Sequence, residues 1–202
     1  MNALSIEAIV VDLGGVAAHF RPERRPRALV SATGIEEHVI HERLFGSGFD
    51  RRCELGELTA DEAMAGVLAA SDGTATTDLL LEAWSLAFEP NDAIVERVRA
   101  ASARRVLFTN NGPLLDACLA GPLRTLADAF DDVICSWHVR ATKPDPLAFE
   151  RAASRLAVPA GQLLLLDDSL ANVHAARELG WNAAVVEDSG DVDHALVRFE
   201  LP

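Results

Sequence analysis

Four clusters of polar residues follow short apolar runs, and their side chains suit phosphate and metal chemistry. The first is Asp12-Leu13-Gly14-Gly15-Val16. A carboxylate at a strand end can act as a nucleophile, and paired glycines let backbone N–H groups close on an anion. Asp12 is therefore a candidate nucleophile and Gly15 a candidate contact to the substrate phosphate, although an Asp-x-Gly-Gly turn is also a common strand exit. The second cluster is Thr109-Asn110-Asn111-Gly112, whose hydroxyl and amides can hold phosphate oxygens, although such residues also build turns. In the third, Thr142-Lys143-Pro144-Asp145-Pro146, two prolines fix a loop and Lys143 can place a compact positive charge on a phosphate. The fourth is Asp167-Asp168-Ser169, with Asn172 one helical turn on. Two adjacent carboxylates repel each other unless a cation neutralises them, and Mg²⁺ takes one or two carboxylates while keeping several waters. Capping of the next helix by Asp168 or Ser169 is the rival reading, and it can coexist with metal binding.

The elements that must position these groups are legible between them. Ala8–Val11, Val106–Phe108, Val133–Cys135, Leu163–Leu166 and Ala183–Val186 are short continuous apolar runs, as expected of strands buried on both faces. Helical patterns cover 91–104, 146–156 and 170–179. Alternation of this kind predicts an α/β fold, a parallel-sheet Rossmann-like three-layer core. Such sheets bind ligands beyond the carboxyl ends of their strands, where all four clusters fall. From about Phe20 to Phe88 no strand is expected. Helices are expected at 24–32, 36–44, 60–70 and 78–88, with Thr59 and Glu62 forming a capping box before the third. Glu89-Pro90-Asn91 reads as a linker, with Asn91 capping the helix that follows. The expected division is a core of residues 1–19 and 90–202, with an all-helical cap domain over 20–89 inserted above the strand ends.

Composition limits the partners. The 202 residues carry a formal net charge of −13, the wrong sign for gripping a nucleic-acid backbone or an anionic membrane. Cys53, Cys118 and Cys135 are scattered, without a CxxC pair, so neither a disulfide framework nor a zinc site is expected. No signal-type leader and no long apolar span is seen, so a cytoplasmic location is expected. A homodimer is compatible with the pattern.

The four clusters, in this order on successive strands, resemble the motif set of the haloacid dehalogenase superfamily. The whole chain fits that architecture, including a helical cap after the first motif. It is most similar to members reading Asp-Leu-Gly-(Gly/Asn)-Val, which include sugar-1-phosphate phosphatases. The stretch Asp167 to Gly180 is the most family-specific part. The resemblance implies that Asp12 attacks phosphorus and forms an aspartyl phosphate. It implies a Mg²⁺ cofactor held by Asp12, the Gly14 carbonyl, Asp168 and, directly or through water, Asp167. Thr109, the amide of Asn110 and Lys143 would bind the phosphoryl oxygens, with Asn111 beside them, and the substrate would be a small phosphorylated metabolite.

One position departs from the pattern. Many family phosphatases carry a second aspartate two residues after the nucleophile as general acid and base, where this chain has Gly14. Leaving groups that depart easily without a proton, such as an anomeric sugar oxygen or an acyl oxygen, feel that loss least. His19 is one candidate for the missing proton transfer. Two other readings stand beside the phosphatase: a fold-retaining binding or regulatory protein, and a metal-free 2-haloacid dehalogenase. Dehalogenases of the family usually carry a tyrosine two residues after the nucleophile, and this chain has no tyrosine. In the cap, Arg51, Arg52 and Glu57 are the expected specificity contacts.

Overall fold

The computed structural model describes residues 5–201. Among these described residues seven strands form: β1 (Ala8–Val11), β2 (Ala18–Phe20), β3 (Phe88–Pro90), β4 (Arg104–Thr109), β5 (Asp132–Cys135), β6 (Leu163–Asp167) and β7 (Asn182–Val185). Five of them build one parallel sheet in the order β5-β4-β1-β6-β7. The chain runs outward from β1 through β4 to β5, then crosses back to β6 and β7. The crevice at this change of direction lies beside the end of β1, the usual ligand position in such sheets.

Alternation along each strand explains why the sheet is covered on both sides. Ile9, Val11, Leu107, Leu164 and Leu166 face one apolar cluster, whereas Ala8, Val10, Val106, Phe108, Leu163 and Leu165 face another. Helices Asp92–Ala100, Pro113–Ala120 and Ser189–Arg198 pack on the first face. Helices Pro146–Leu156 and Leu170–Glu178 pack on the second, completing three layers. Pro146 opens its helix at the first turn, and the Asp145 carboxylate accepts from the Leu147 amide at 2.9 Å. Ser169 caps Leu170–Glu178, which leaves Asp168 free of that duty.

The helical segment between β2 and β3 has the expected content with several differences. Thr59 and Glu62 do form a capping box on helix Ala60–Ala70. The second predicted helix is shorter, Glu37–His41, and runs on into a wide π-type turn, Glu42–Gly46. A short helix, Phe49–Glu54, was not foreseen. The last helix, Thr77–Ser85, stops before Phe88, which instead enters β3. The expected linker is thus an antiparallel partner of β2, pairing Ala18 with Pro90 and Phe20 with Phe88. Asn91 stands at the next helix N-terminus but its side chain makes no capping bond, while its amide donates to Ala17 O at 2.9 Å. The segment has no separate core. Leu29, Ile40, Leu44, Val67, Leu80 and Trp84 belong to the same cluster as the first sheet face.

Candidate active site

Asp12 follows β1 directly, and its amide donates to Leu166 O at 2.9 Å, so the sheet register carries one residue past the strand end. Its carboxylate is almost buried. Across the crevice, the Lys143 ammonium donates to Asp12 Oδ1 at 2.8 Å, Asp167 Oδ2 at 2.6 Å and Phe108 O at 2.9 Å. An ammonium has three protons, and all three are committed. Burial works against the Lys143 charge, but Asp12 and Asp167 outweigh it and raise its pKa. Asp12 is pushed up to about 6, first by burial and also by the Asp167 charge, against the lowering influence of Lys143.

Asp167 is fully enclosed, and its second oxygen accepts from the Ser169 amide and from Asn172 Nδ2, both at 2.9 Å. Asp168 is exposed beside it, its pKa raised by partial burial and by the Asp167 charge. One carboxylate oxygen from each of Asp12, Asp167 and Asp168 lies within 4.8 Å of the others. This donor set fits a hard divalent cation, which prefers oxygen ligands and tolerates retained waters. Gly15 fits the same arrangement. Its φ is +92°, and a Cβ there would collide with Asp168 Oδ2; its amide donates to Ala18 O at 2.8 Å, so it is not free for the substrate phosphate as the sequence suggested.

The other strand ends hold the loop that delivers Lys143. Asn110 Nδ2 donates to Lys143 O and Asn110 Oδ1 accepts from Lys143 N, each at 2.8 Å. Asn111 Nδ2 donates to Thr109 Oγ1 at 2.8 Å. A cavity of about 220 Å³ opens above Asp12, Thr109, Asn110, Asn111 and Lys143. Gly14 and Asn172 also line it, whereas Gly15, Asp167 and Asp168 are not among its lining residues.

Its far wall comes from the helical segment and the small ribbon: Phe20, Arg25, Asp50, Glu54 and Phe88. None of the three expected specificity residues lines it. Arg52 and Glu57 pair with each other at 3.4 Å, and Arg51 contacts Glu54 and Thr142. His19 lies exposed on β2 and is likewise not a lining residue. Arg25 was missed in the sequence because it sits in an arginine-rich stretch that reads as a solvated face. The usable signal was Leu29, four residues on and therefore on the same helical face, which is buried. Arg25 is 4% exposed, its Cζ stands 3.8 Å from the Trp84 ring centroid, and its Nε and NH2 atoms have no hydrogen-bond partner. An unmet buried donor costs about 1–3 kcal/mol, and more when charged.

A second polar cluster, Asp116, Cys135 and His138, lies outside this cavity. Cys135 N–H donates to His138 Nδ1 at 3.1 Å, so Nε2 carries the proton shared with Asp116 at 2.7 Å. Its bonds are met internally.

Residues 6–180 match the family described as haloacid dehalogenase-like hydrolase. The chain belongs to this family. A phosphatase of Mycobacterium tuberculosis, MT3486, is 29% identical over 96% of this chain and 94% of its own length. The D-ribitol-5-phosphate phosphatase of Bacteroides thetaiotaomicron is 23% identical over 92% of this chain and 94% of its own. Among solved structures, a HAD-like family hydrolase from Porphyromonas gingivalis superposes with TM-score 0.72 at 24% identity, covering 96% of this chain and 98% of the other. A HAD family enzyme from B. thetaiotaomicron, in complex with magnesium and inorganic phosphate, does so with TM-score 0.68 at 21% identity, covering 90% and 94%. At those identities the structural likeness speaks for the fold of this haloacid dehalogenase-like hydrolase. Among its described residues no helix is long and apolar enough to cross a membrane.

Proposed function

We propose that this hydrolase is a Mg²⁺-dependent phosphatase of small phosphorylated metabolites, sugar 1-phosphates or similar esters, working through an aspartyl phosphate on Asp12. The observation that carries this reading is the convergence of three carboxylates within 4.8 Å, two of them bridged by one buried ammonium, with Asp12 and that ammonium lining a small cavity. Asp12 and Asp168, with the Gly14 carbonyl and Asp167, would hold the cation. When bound, Mg²⁺ supplies positive charge that offsets the phosphoryl oxygens as they approach a carboxylate.

The chain's own residues do the rest. The Asp12 carboxylate attacks phosphorus, the bond from phosphorus to the leaving oxygen breaks, and the leaving oxygen takes a proton from solvent. Water then attacks the same phosphorus and releases phosphate with Asp12 restored. Lys143 holds Asp12 in place and balances its charge. Thr109 Oγ1 and the backbone amide of Asn110 would donate to phosphoryl oxygens, with Asn111 orienting Thr109. Because position 14 carries no acid, leaving groups with good intrinsic stability should react fastest. Residues 20–89 act in this reading as a cap over a core of 1–19 and 90–202, excluding water and selecting the substrate. Mycobacterial and Bacteroides relatives that are phosphatases support this assignment.

Phosphate release should be measured on sugar, polyol and acyl phosphates with Mg²⁺, with chelator, and with Asp12→Asn. Metal-dependent release abolished by the variant is the expected result. Folded, metal-loaded protein that releases nothing from any substrate would instead favour a binding or regulatory role.

A further inference from the structure

Arg25 is unexplained by the chemistry at Asp12. It lies on the far wall of the cavity, nine-tenths buried, with Nε and NH2 bonded to nothing. Stacking on Trp84 accounts for its position but not for two unmet donors. Asp50 and Glu54 line the same wall and act on Arg25 through their charge, yet no ion pair within 4.0 Å joins them to it among the described residues. This end of the cavity therefore holds the Arg25 guanidinium with two unmet nitrogens and two carboxylates, of which Glu54 also accepts from Arg51 NH1 at 3.3 Å, and no protein group joins Arg25 to either.

The charge pattern narrows what fits the gap. A second anion would satisfy Arg25 but stand against two carboxylates. A cation would satisfy the carboxylates and leave the guanidinium orphaned. A hydroxyl does both jobs, accepting from Arg25 and donating to Asp50 or Glu54. Size agrees, since about 220 Å³ equals the share of roughly seven waters at ~30 Å³ each, enough for a phosphate and a short carbon chain. Phe20 and Phe88, their ring centroids 5.4 Å apart, offer an apolar wall for the carbon–hydrogen face of such a chain.

We propose that Arg25, Asp50 and Glu54 form a leaving-group subsite that reads the hydroxyls of an uncharged polyol or sugar carried by the phosphate. The proposal deepens the phosphatase reading and rests on it. Arg25 supplies the donor, the two carboxylates supply the acceptors, and Trp84 fixes the plane of the guanidinium.

The test compares kcat/KM for pentitol and aldose phosphates with that for acetyl phosphate, whose acyl group has no hydroxyl and no charge in the bound substrate, and for phosphoglycerate, whose carbon chain carries a free carboxylate. Wild type, Arg25→Met and Asp50→Asn are used, each checked for folding by circular dichroism. The ratio of polyol phosphate to acetyl phosphate should fall roughly 10–150-fold in Arg25→Met, the worth of a hydrogen bond to a charged group, and fall in Asp50→Asn as well. Equal losses on both substrates would overturn the subsite and leave Arg25 a packing residue. A selective loss on phosphoglycerate would overturn it in favour of an anion site. If Arg25→Met does not fold, Asp50→Asn decides by the same ratio. Calorimetry on Asp12→Asn protein, comparing pentitol phosphate with inorganic phosphate with and without the subsite changes, decides the point even if wild type turns nothing over. Absent turnover would sink the phosphatase reading alone, whereas an unchanged affinity ratio would sink the subsite.

Discussion

Replacing Lys143 with methionine keeps an unbranched side chain, one atom shorter, and removes its charge. The ammonium it removes sits 2.8 Å from Asp12 Oδ1, 2.6 Å from Asp167 Oδ2 and 2.9 Å from Phe108 O. Two enclosed carboxylates would then face each other, and one carbonyl would lose its donor. Removing one partner of a buried ionic contact costs about 3–5 kcal/mol. In a domain of this size that is a fall of roughly 6–20 °C in Tm. The loss should depend on pH. Asp12 is already raised to about 6 by burial and by Asp167, and Lys143 is what restrains it. An acid whose pKa is higher folded than unfolded favours folding in full below its unfolded value, and that benefit is lost as pH rises through the folded value. The deficit of Lys143→Met, measured by urea unfolding in chelator, should therefore be smaller at about pH 5 than at about pH 8. Saturating Mg²⁺ at the higher pH should return part of it, because a bound cation replaces the missing charge. An equal deficit at both pH values would refute the electrostatic account and assign the loss to packing.

Three further outcomes are expected. Gly14→Asp should raise turnover of esters with poor leaving groups by about 10²-fold or more, with acetyl phosphate gaining least. The first atom met by a new Cβ is Phe20 Cβ at 3.4 Å, on a half-exposed side chain; an unaltered ester-to-acyl ratio would show that the missing acid is not what limits the chemistry. Mg²⁺ affinity, followed by calorimetry, should fall as pH drops below about 6, where the Asp12 carboxylate takes up a proton, by up to about tenfold per pH unit. A pH-independent affinity would remove Asp12 from the ligand set. Burial pushes Cys53 and Cys118 up to about 12 and Cys135 well above its ordinary value, so a thiol reagent should react only on unfolding. Rapid labelling of the native protein would show that the helical segment opens readily.

The parallel core was readable because its strands are enclosed on both faces, which leaves continuous apolar runs such as Leu163–Leu166 with polar residues at one end only. A parallel sheet gathers those ends on one side, so Asp12, Thr109, Lys143 and Asp167 could be grouped although they are far apart in sequence. The β2–β3 ribbon was not readable. Each strand has three residues with a single buried position, too short for either an apolar run or an alternation to register. Arg25 escaped for a different reason. Its type announces solvent, and only packing from a distant helix, through Trp84, turns it inward. Asn110 was assigned to substrate through its backbone amide. The reciprocal clasp of its side chain on Lys143 depends on a partner 33 residues away, which local pattern does not reveal.

The β2–β3 ribbon has a topological consequence. The chain departs at Phe20 and returns at Phe88, and these two residues are paired neighbours. To the core, everything between them is equivalent to the loop of a hairpin. Its length can vary at a closure cost that grows only with the logarithm of the loop, so insertions and deletions there need not disturb the sheet register. The limit is set by solvent exposure. Trimming the segment to a tight turn would leave Ile9, Val11, Leu107, Leu164 and Leu166 with one side of their shared cluster stripped away. Any replacement grafted onto this ribbon is therefore free in sequence and length but must bring an apolar underside of its own.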